Sequence, residues 1–287
     1  MAKIIKLSEA HQAFLDHLKS RKRAHATILA YGKDVDQLVG YLTETKKVDI
    51  SDVKRDDIES FLNSLSKENY TAKSISRKLN SIKTFYRFCK ANDFTTDNPS
   101  ILIAHPKYET KPPRILSKLE YRALRDACRD DARISAVVEL LLQTGIRIGE
   151  LANIRVEDVK SISLFVQAQE GHLERDIPLN KSAKTALDKY LLIRPKTTEN
   201  ILFVTKTGRP LLVRNIRTAI DRYFRKAGIK EAKVNDLRHT WIAHHLVAGT
   251  SLVVVSKLAG HKRLSTTEKY LDLIKGQSPE SVKLEEL

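Results

Sequence analysis

The apolar pattern of this chain breaks from Thr95 to Ser117, and that break limits the possible folds more than any other feature. Asn98-Pro99, His105-Pro106 and Pro112-Pro113 fall within it, and few apolar residues recur there at a regular period. Proline fixes its own φ, lacks the N–H that helices and strands use, and biases the preceding residue towards extended backbone. On either side the apolar residues return to helical spacing. The pattern therefore predicts two bodies, 1–97 and 117–287, joined by a linker over 98–116. A chain of 287 residues with 41% hydrophobic content has enough material for two cores.

Before the break, apolar stripes predict four helices, over 8–19, 26–42, 56–67 and 72–90. The last carries Ile75, Leu79, Ile82, Tyr86 and Cys89 on one face. Its opposite face carries Lys73, Arg77, Asn80, Thr84 and Arg87. Most such faces are simply solvated. This one also has the length and charge to lie along DNA, with Lys and Arg on phosphates and Asn or Thr near base edges.

After the break, Ser117 with Glu120 three later forms a capping box that opens a helix. Residues 132–144 form a strongly apolar helix that Gly145 stops, which leaves Arg147 on a rigid helix end. Residues 161–167 and 173–179 read as a β-hairpin, 181–193 as a helix, 201–204 as a short strand and 213–227 as a helix. Further on, Asn235 and Arg238 are three apart and would share a helix face. Leu252, Val255 and Leu258 repeat at helical spacing up to Gly260, where His261 follows the helix stop. Ser265 with Glu268 reads as another capping box, placing Tyr270 just past the first turn of a last helix. The whole is mainly α with a small antiparallel β-sheet in the second body.

Lys and Arg number 51 against 35 acids, a net charge of +16. The excess is spread out: residues 1–111 hold 20 bases and 14 acids, and the remainder 31 and 21. Such a balance suits a polyanionic partner, nucleic acid first and an anionic membrane surface second, although a merely Lys-rich protein would share it. Cys89 and Cys128 are too few for a disulfide framework or a zinc site and fit a reducing cytoplasm. The start of the chain carries no signal-peptide pattern, and no apolar run is long enough to span a membrane.

Two boxes carry a resemblance. Asn235-Asp-Leu-Arg-His-Thr240, Leu258-Ala-Gly-His261 and Tyr270 nine residues later resemble the C-terminal signature of the tyrosine recombinases, the phage-integrase family that includes the Xer proteins. Thr144-Gly-Ile-Arg-Ile-Gly-Glu-Leu151, about 90 residues upstream, is similar to that family's first arginine motif. The resemblance implies a two-domain DNA clamp: a helical, SAM-like core-binding domain, then a catalytic domain whose tail contacts a neighbouring subunit. It implies Arg147, Arg238, His261 and Tyr270 as catalytic residues, a 3′-phosphotyrosyl intermediate, no cofactor and no metal. It further implies double-stranded DNA at a specific site as partner, with a homotetramer in the synaptic complex. The apolar residues after Tyr270, including Leu271, Leu273, Ile274, Val282 and Leu284, would form the exchanged tail.

These residue types suit the chemistry. In-line attack on a phosphodiester builds charge on its non-bridging oxygens, and two guanidinium groups can pair with them. His261 can hydrogen-bond a phosphoryl oxygen or exchange a proton. Tyr270 would be the nucleophile, although a phenol with an ordinary pKa needs activation. His239, His244 and His245 are close together but lack a metal-binding spacing.

Two positions depart from the family. Asn235 replaces the usual His, and Glu170 stands where the hairpin's catalytic lysine is expected, with no lysine anywhere from 161 to 180. Lys160, Lys181 or His172 could replace it as the acid for the departing 5′ oxygen, or Glu170 itself if protonated. The alternatives to a site-specific recombinase are a DNA-binding protein of the same fold with impaired catalysis, and a type IB topoisomerase-like nicking-closing enzyme.

Overall fold

The structure is a computed structural model that describes residues 5–169 and 172–274. The chain divides into two compact units, Met1–Thr110 and Lys111–Leu287.

Among the described residues, the first unit holds four α-helices: α1 (Leu7–Ser20), α2 (His25–Glu44), α3 (Arg55–Lys67) and α4 (Ala72–Ala91). Their inward stripes meet in one core that includes Phe14, Val35, Leu38, Ile58, Phe61, Leu79 and Phe85. Thr71 caps α4 by accepting the Ser74 N–H, which fixes where its two faces begin. Beneath α4 lies a buried carboxylate. Asp34 of α2 accepts from Arg77, from Lys78 Nζ at 3.1 Å and from Ser81 Oγ at 2.8 Å. Arg77 thus projects from the basic face while part of its guanidinium is committed inward.

Much of the stretch that reads as a linker is tied to one unit or the other. Ile103 is buried in the first core, its carbonyl accepts from Lys83 Nζ at 2.7 Å, and His105 Nδ1 lies 3.1 Å from Ser76 Oγ. Leu116, by contrast, belongs to the second core, and its N–H donates to Thr240 Oγ1 at 2.8 Å. Proline excludes regular structure there but leaves side chains and carbonyls free to bind.

The second unit holds α5 (Lys118–Cys128), α6 (Ala132–Thr144), α7 (Ile148–Asn153), a hairpin of β1 (Ser163–Val166) and β2 (Arg175–Pro178), α8 (Lys181–Ile193), α9 (Val213–Lys226), α10 (Val234–Val247), α11 (Leu252–Ala259), α12 (Ser265–Glu268) and α13 (Leu271–Ile274). The fold is mainly helical, with β1 and β2 antiparallel in the register Ser163↔Pro178 to Val166↔Arg175. Helix α6 is apolar nearly all round and forms the centre of the core, with Leu187, Phe203, Ile216 and Phe224 against it. Residues 201–204 form isolated bridges, Arg155↔Ile201 and Val204↔Pro210, in place of the predicted strand.

Two more expectations need correction. Helix α12 starts from Leu264, with no side-chain cap, so Ser265 is not an N-cap and Tyr270 sits in the break between α12 and α13. Ile274 is buried and Leu273 packs against the core formed by Trp241, Ile242, Val255, Ala259 and Tyr270. The start of the expected exchanged tail is therefore covered by its own chain, while Val282 and Leu284 lie outside the described residues.

Candidate active site

The site is built on a helix end. Gly260 stops α11 in the left-handed conformation (φ 65°), and a helix C-terminus leaves carbonyls without intrahelical partners. Three arginines from distant segments satisfy them. Arg175 Nε donates to Leu258 O at 2.7 Å. Arg147 donates to Ala259 O at 3.3 Å and to Gly260 O at 2.9 Å. Arg238 donates to Ala259 O at 2.7 Å. The negative end of the α11 dipole favours the same cations.

A second anchor holds each guanidinium. Glu150, in the first turn of α7, accepts the Arg147 backbone N–H at 2.8 Å and its Nη1 at 2.9 Å. The same carboxylate takes Arg175 bidentately, at 3.0 and 2.8 Å. Burial alone would raise the Glu150 pKa; the bonds from Arg175 and the Arg147 N–H, with both positive charges, outweigh it and hold it at about 2. Arg238 donates to Gly145 O, the carbonyl of the residue that stops α6. Any side chain at Gly145 would overlap the Trp241 ring, and one at Gly260 would meet the Arg175 guanidinium.

Arg147 and Arg238 differ in exposure. The Arg147 side chain is 28% exposed, whereas Arg238 is 7% exposed. Burial, then the neighbouring Arg147, push Arg238 down to about 9, still charged at neutral pH. Each retains N–H donors beyond the bonds above, because a guanidinium carries five.

His261 follows Gly260, and its Nδ1 lies 2.7 Å from the hydroxyl of the buried Thr267. With that hydroxyl donating, the ring proton sits on Nε2, free to donate to a substrate oxygen. Burial, and then the charges of Arg238, Arg147 and Arg175, push the His261 pKa down to about 4, so the ring is neutral.

Tyr270 is 5% exposed, and its hydroxyl lies 2.6 Å from His239 Nδ1. Burial raises its pKa, and the charge of Arg238 opposes the rise only in part. The structure thus brings Arg147, Arg238, His261 and Tyr270 together in one chain.

The other predicted positions are less engaged. Asn235 is exposed on the first turn of α10, three residues from the buried Arg238; among the described residues no hydrogen bond joins its amide to the cluster. Both lie on α10, where a spacing of three sets them on one side of the helix, Asn235 at its solvent edge and Arg238 buried. Glu170 lies outside the described residues. His172 adjoins the cluster, lining a cavity of about 360 Å³ with Arg175, His261 and Lys262. Its pKa is lowered by burial and then by Arg147. Lys160 is paired with Asp176 at 3.0 Å, at the open end of the hairpin away from the Gln169↔His172 bridge. Lys181 is exposed at the start of α8. Two lysines that the sequence reasoning did not single out, Lys257 and Lys262, line the same cavity as His172.

On α4, Lys73, Arg77, Asn80 and Arg87 are exposed and Thr84 is half-buried, its hydroxyl bound to Asn80 O at 2.8 Å. No group of three or more His, Cys, Asp or Glu among the described residues is arranged to hold a metal ion. No helix among them is long and apolar enough to cross a membrane.

The sequence reasoning also missed Glu150, Arg175, His239 and Thr267. Glu150 carried a signal, three residues after Arg147 where a capping carboxylate belongs. His239 was weighed only as a metal ligand, and no local rule links it to Tyr270.

Known proteins resemble this chain in sequence and in fold. Residues 114–276 match the phage integrase family, and residues 12–93 match the phage integrase N-terminal SAM-like domain. The chain is 33% identical over 274 residues to tyrosine recombinase XerC of Staphylococcus saprophyticus, covering 92% of each. It is 34% identical over 262 residues to tyrosine recombinase XerD of Staphylococcus haemolyticus, covering 88% of this chain and 89% of that one. Among solved structures, a lambda integrase dimer bound to a COC′ core site shares the fold, with a TM-score of 0.78 at 19% identity over 99% of this chain and 82% of that chain.

Proposed function

This chain belongs to the phage integrase family of tyrosine recombinases, and from that premise we propose that it cleaves and rejoins double-stranded DNA at a specific site with Tyr270 as nucleophile. One observation carries the assignment: Arg147 and Arg238 bind the carbonyls at the end of α11, His261 follows that end, and Tyr270 packs in the same small core as Ala259.

A phosphodiester seated there would take N–H donors from Arg147 and Arg238 on its non-bridging oxygens, with His261 Nε2–H as a third donor. Charge builds on those oxygens as Tyr270 attacks, and donors fixed beforehand by Glu150, Gly145 O and Ala259 O need no reorganisation. The bond to the 5′ oxygen breaks as the 3′-phosphotyrosyl bond forms. Its energy is kept for a 5′-hydroxyl from another strand to reseal. The basic face of α4 would add phosphate contacts from the first unit. Strand exchange between two duplexes requires several copies, so the working form is a homo-oligomer. An enzyme of this kind, whether an Xer-like resolvase or a mobile-element integrase, would work in the cytoplasm.

Incubation with a nicked duplex that loses its 5′ fragment on cleavage tests the proposal. A covalent protein–DNA adduct should form, and form equally in EDTA. A chain that binds its site yet forms none would instead be a DNA-binding protein of this fold, the reading favoured by Asn235, which stands where the family usually has His. Relaxation of supercoiled DNA by a monomer would point to nicking and closing.

A further inference from the structure

We propose that His239 is a catalytic residue, the general base that takes the Tyr270 proton as the phenol attacks; the inference rests on the recombinase reading above. The nucleophile has one side-chain hydrogen bond among the described residues, and it is to this ring: Tyr270 Oη lies 2.6 Å from His239 Nδ1, with the ring centroids 5.8 Å apart. Hydrogen-bond reach to the proton is the first requirement for a base.

The protonation states agree with the geometry. Burial raises the Tyr270 pKa, so the phenol is protonated at neutral pH and cannot attack without losing that proton. Burial lowers the His239 pKa; Asp236 raises it and Arg238 lowers it, and both lie on its own helix. From outside α10, the group facing the ring is the Tyr270 hydroxyl. A neutral imidazole with its proton on Nε2 offers Nδ1 as an acceptor. Asn235, one turn earlier on α10, is exposed and its amide takes no proton. His261 is already engaged through Nδ1 with Thr267, and its other nitrogen is left for a phosphoryl oxygen.

The step balances. The Tyr270 Oη–P bond forms as the P–O5′ bond breaks. The phenol proton moves to His239 Nδ1, giving imidazolium, and the departing 5′ oxygen takes a proton from solvent. On resealing, the attacking 5′-hydroxyl releases its proton to solvent, and the imidazolium returns the other to Tyr270. A rival role is available on the same geometry: His239 could merely hold the buried phenol in place.

His239→Gln separates the two roles, because the amide can hydrogen-bond the phenol but cannot take its proton. Single-turnover cleavage of the nicked substrate should fall roughly 10²–10³-fold, with DNA affinity unchanged. Trifluorotyrosine placed at position 270 then lowers the phenol pKa. A base matters less to a more acidic nucleophile, so the His239→Gln deficit should shrink at least about tenfold in that background. An unchanged deficit means His239 only positions the ring, and a variant that cleaves at the native rate also overturns the proposal. Should the variant not fold, the native chain labelled with ¹⁵N-histidine serves. Nδ1 of His239 should show the shift of an unprotonated acceptor at neutral pH, and a protonated Nδ1 overturns the proposal. Absence of any adduct from the native chain would instead sink the recombinase reading, while the nitrogen shift would be unaffected.

Discussion

Three guanidinium groups at one site would repel each other without a counter-charge, and Glu150 supplies it. Removing one partner of a buried ion network leaves the others uncompensated, at a cost of about 3–5 kcal/mol. Glu150→Gln should therefore lower the melting midpoint sharply and reduce cleavage, because Arg147 and Arg175 lose a shared anchor. The Glu150 pKa is held at about 2, well below the usual carboxylate range. The stabilisation is therefore full above that usual range and is lost as the pH falls towards 2. Melting measured down that range should show the loss in the native chain and its absence in Glu150→Gln. Arg147→Ala or Arg238→Ala should slow cleavage roughly 10²–10³-fold by removing transition-state donors, as single-turnover rates would show. At this scale Arg147, Arg238, His261 and Tyr270 could be named from the sequence because each stands at a recognisable box. Arg175 and His239 could not, because their partners Leu258 and Tyr270 are separated from them by 83 and 31 positions.

The element on which the site depends is the end of α11. Its carbonyls are the common acceptors of all three arginines, and Gly260 sets where they point. Gly260→Ala would add ~1–2 kcal/mol of left-handed backbone strain and force the Arg175 guanidinium aside. The expected outcome is a modest drop in melting temperature with a larger drop in cleavage. Equal cleavage by the variant would show that this helix stop does not position the arginines. Elements were legible wherever local chemistry decides them. Helices α6 and α8 end where periodicity and punctuation predict, because Asp131 and Asn180 cap their starts and Gly145 stops α6. At 201–204 only the two ends find bridge partners, Arg155 from distant chain and Pro210 six residues on, so the predicted strand is reduced to isolated bridges. For α12, Ser265 followed by Glu268 mimics a cap, but the chain is already helical at Leu264 and the hydroxyl that matters is Thr267, turned to His261.

For the whole molecule, charge is the governing quantity. A net +16 spread through both halves of the sequence favours many phosphate contacts over one patch. Each phosphate that is neutralised releases counterions, so log affinity should fall linearly and steeply with log salt between about 50 and 200 mM. A flat dependence, measured by fluorescence anisotropy on a labelled duplex, would rule this out. Replacing Lys73 and Arg87 by Ala should make that slope shallower by ~1 for each phosphate no longer neutralised. Replacing Arg77 should in addition destabilise the first unit, because it also neutralises the buried Asp34. The two-part division follows from the proline-rich break; the sharing of that stretch between the units does not, since it depends on single bonds such as Leu116 N–H to Thr240. Recombination by this chain stands or falls on Tyr270 becoming joined to DNA. Tryptic mapping of the covalent adduct formed on the nicked substrate measures that bond itself. A nucleotide remnant should appear on the peptide that starts at Tyr270, after Lys269, and Tyr270→Phe should give no adduct at unchanged DNA affinity. A remnant on any other peptide, or an adduct from Tyr270→Phe, would contradict the assignment.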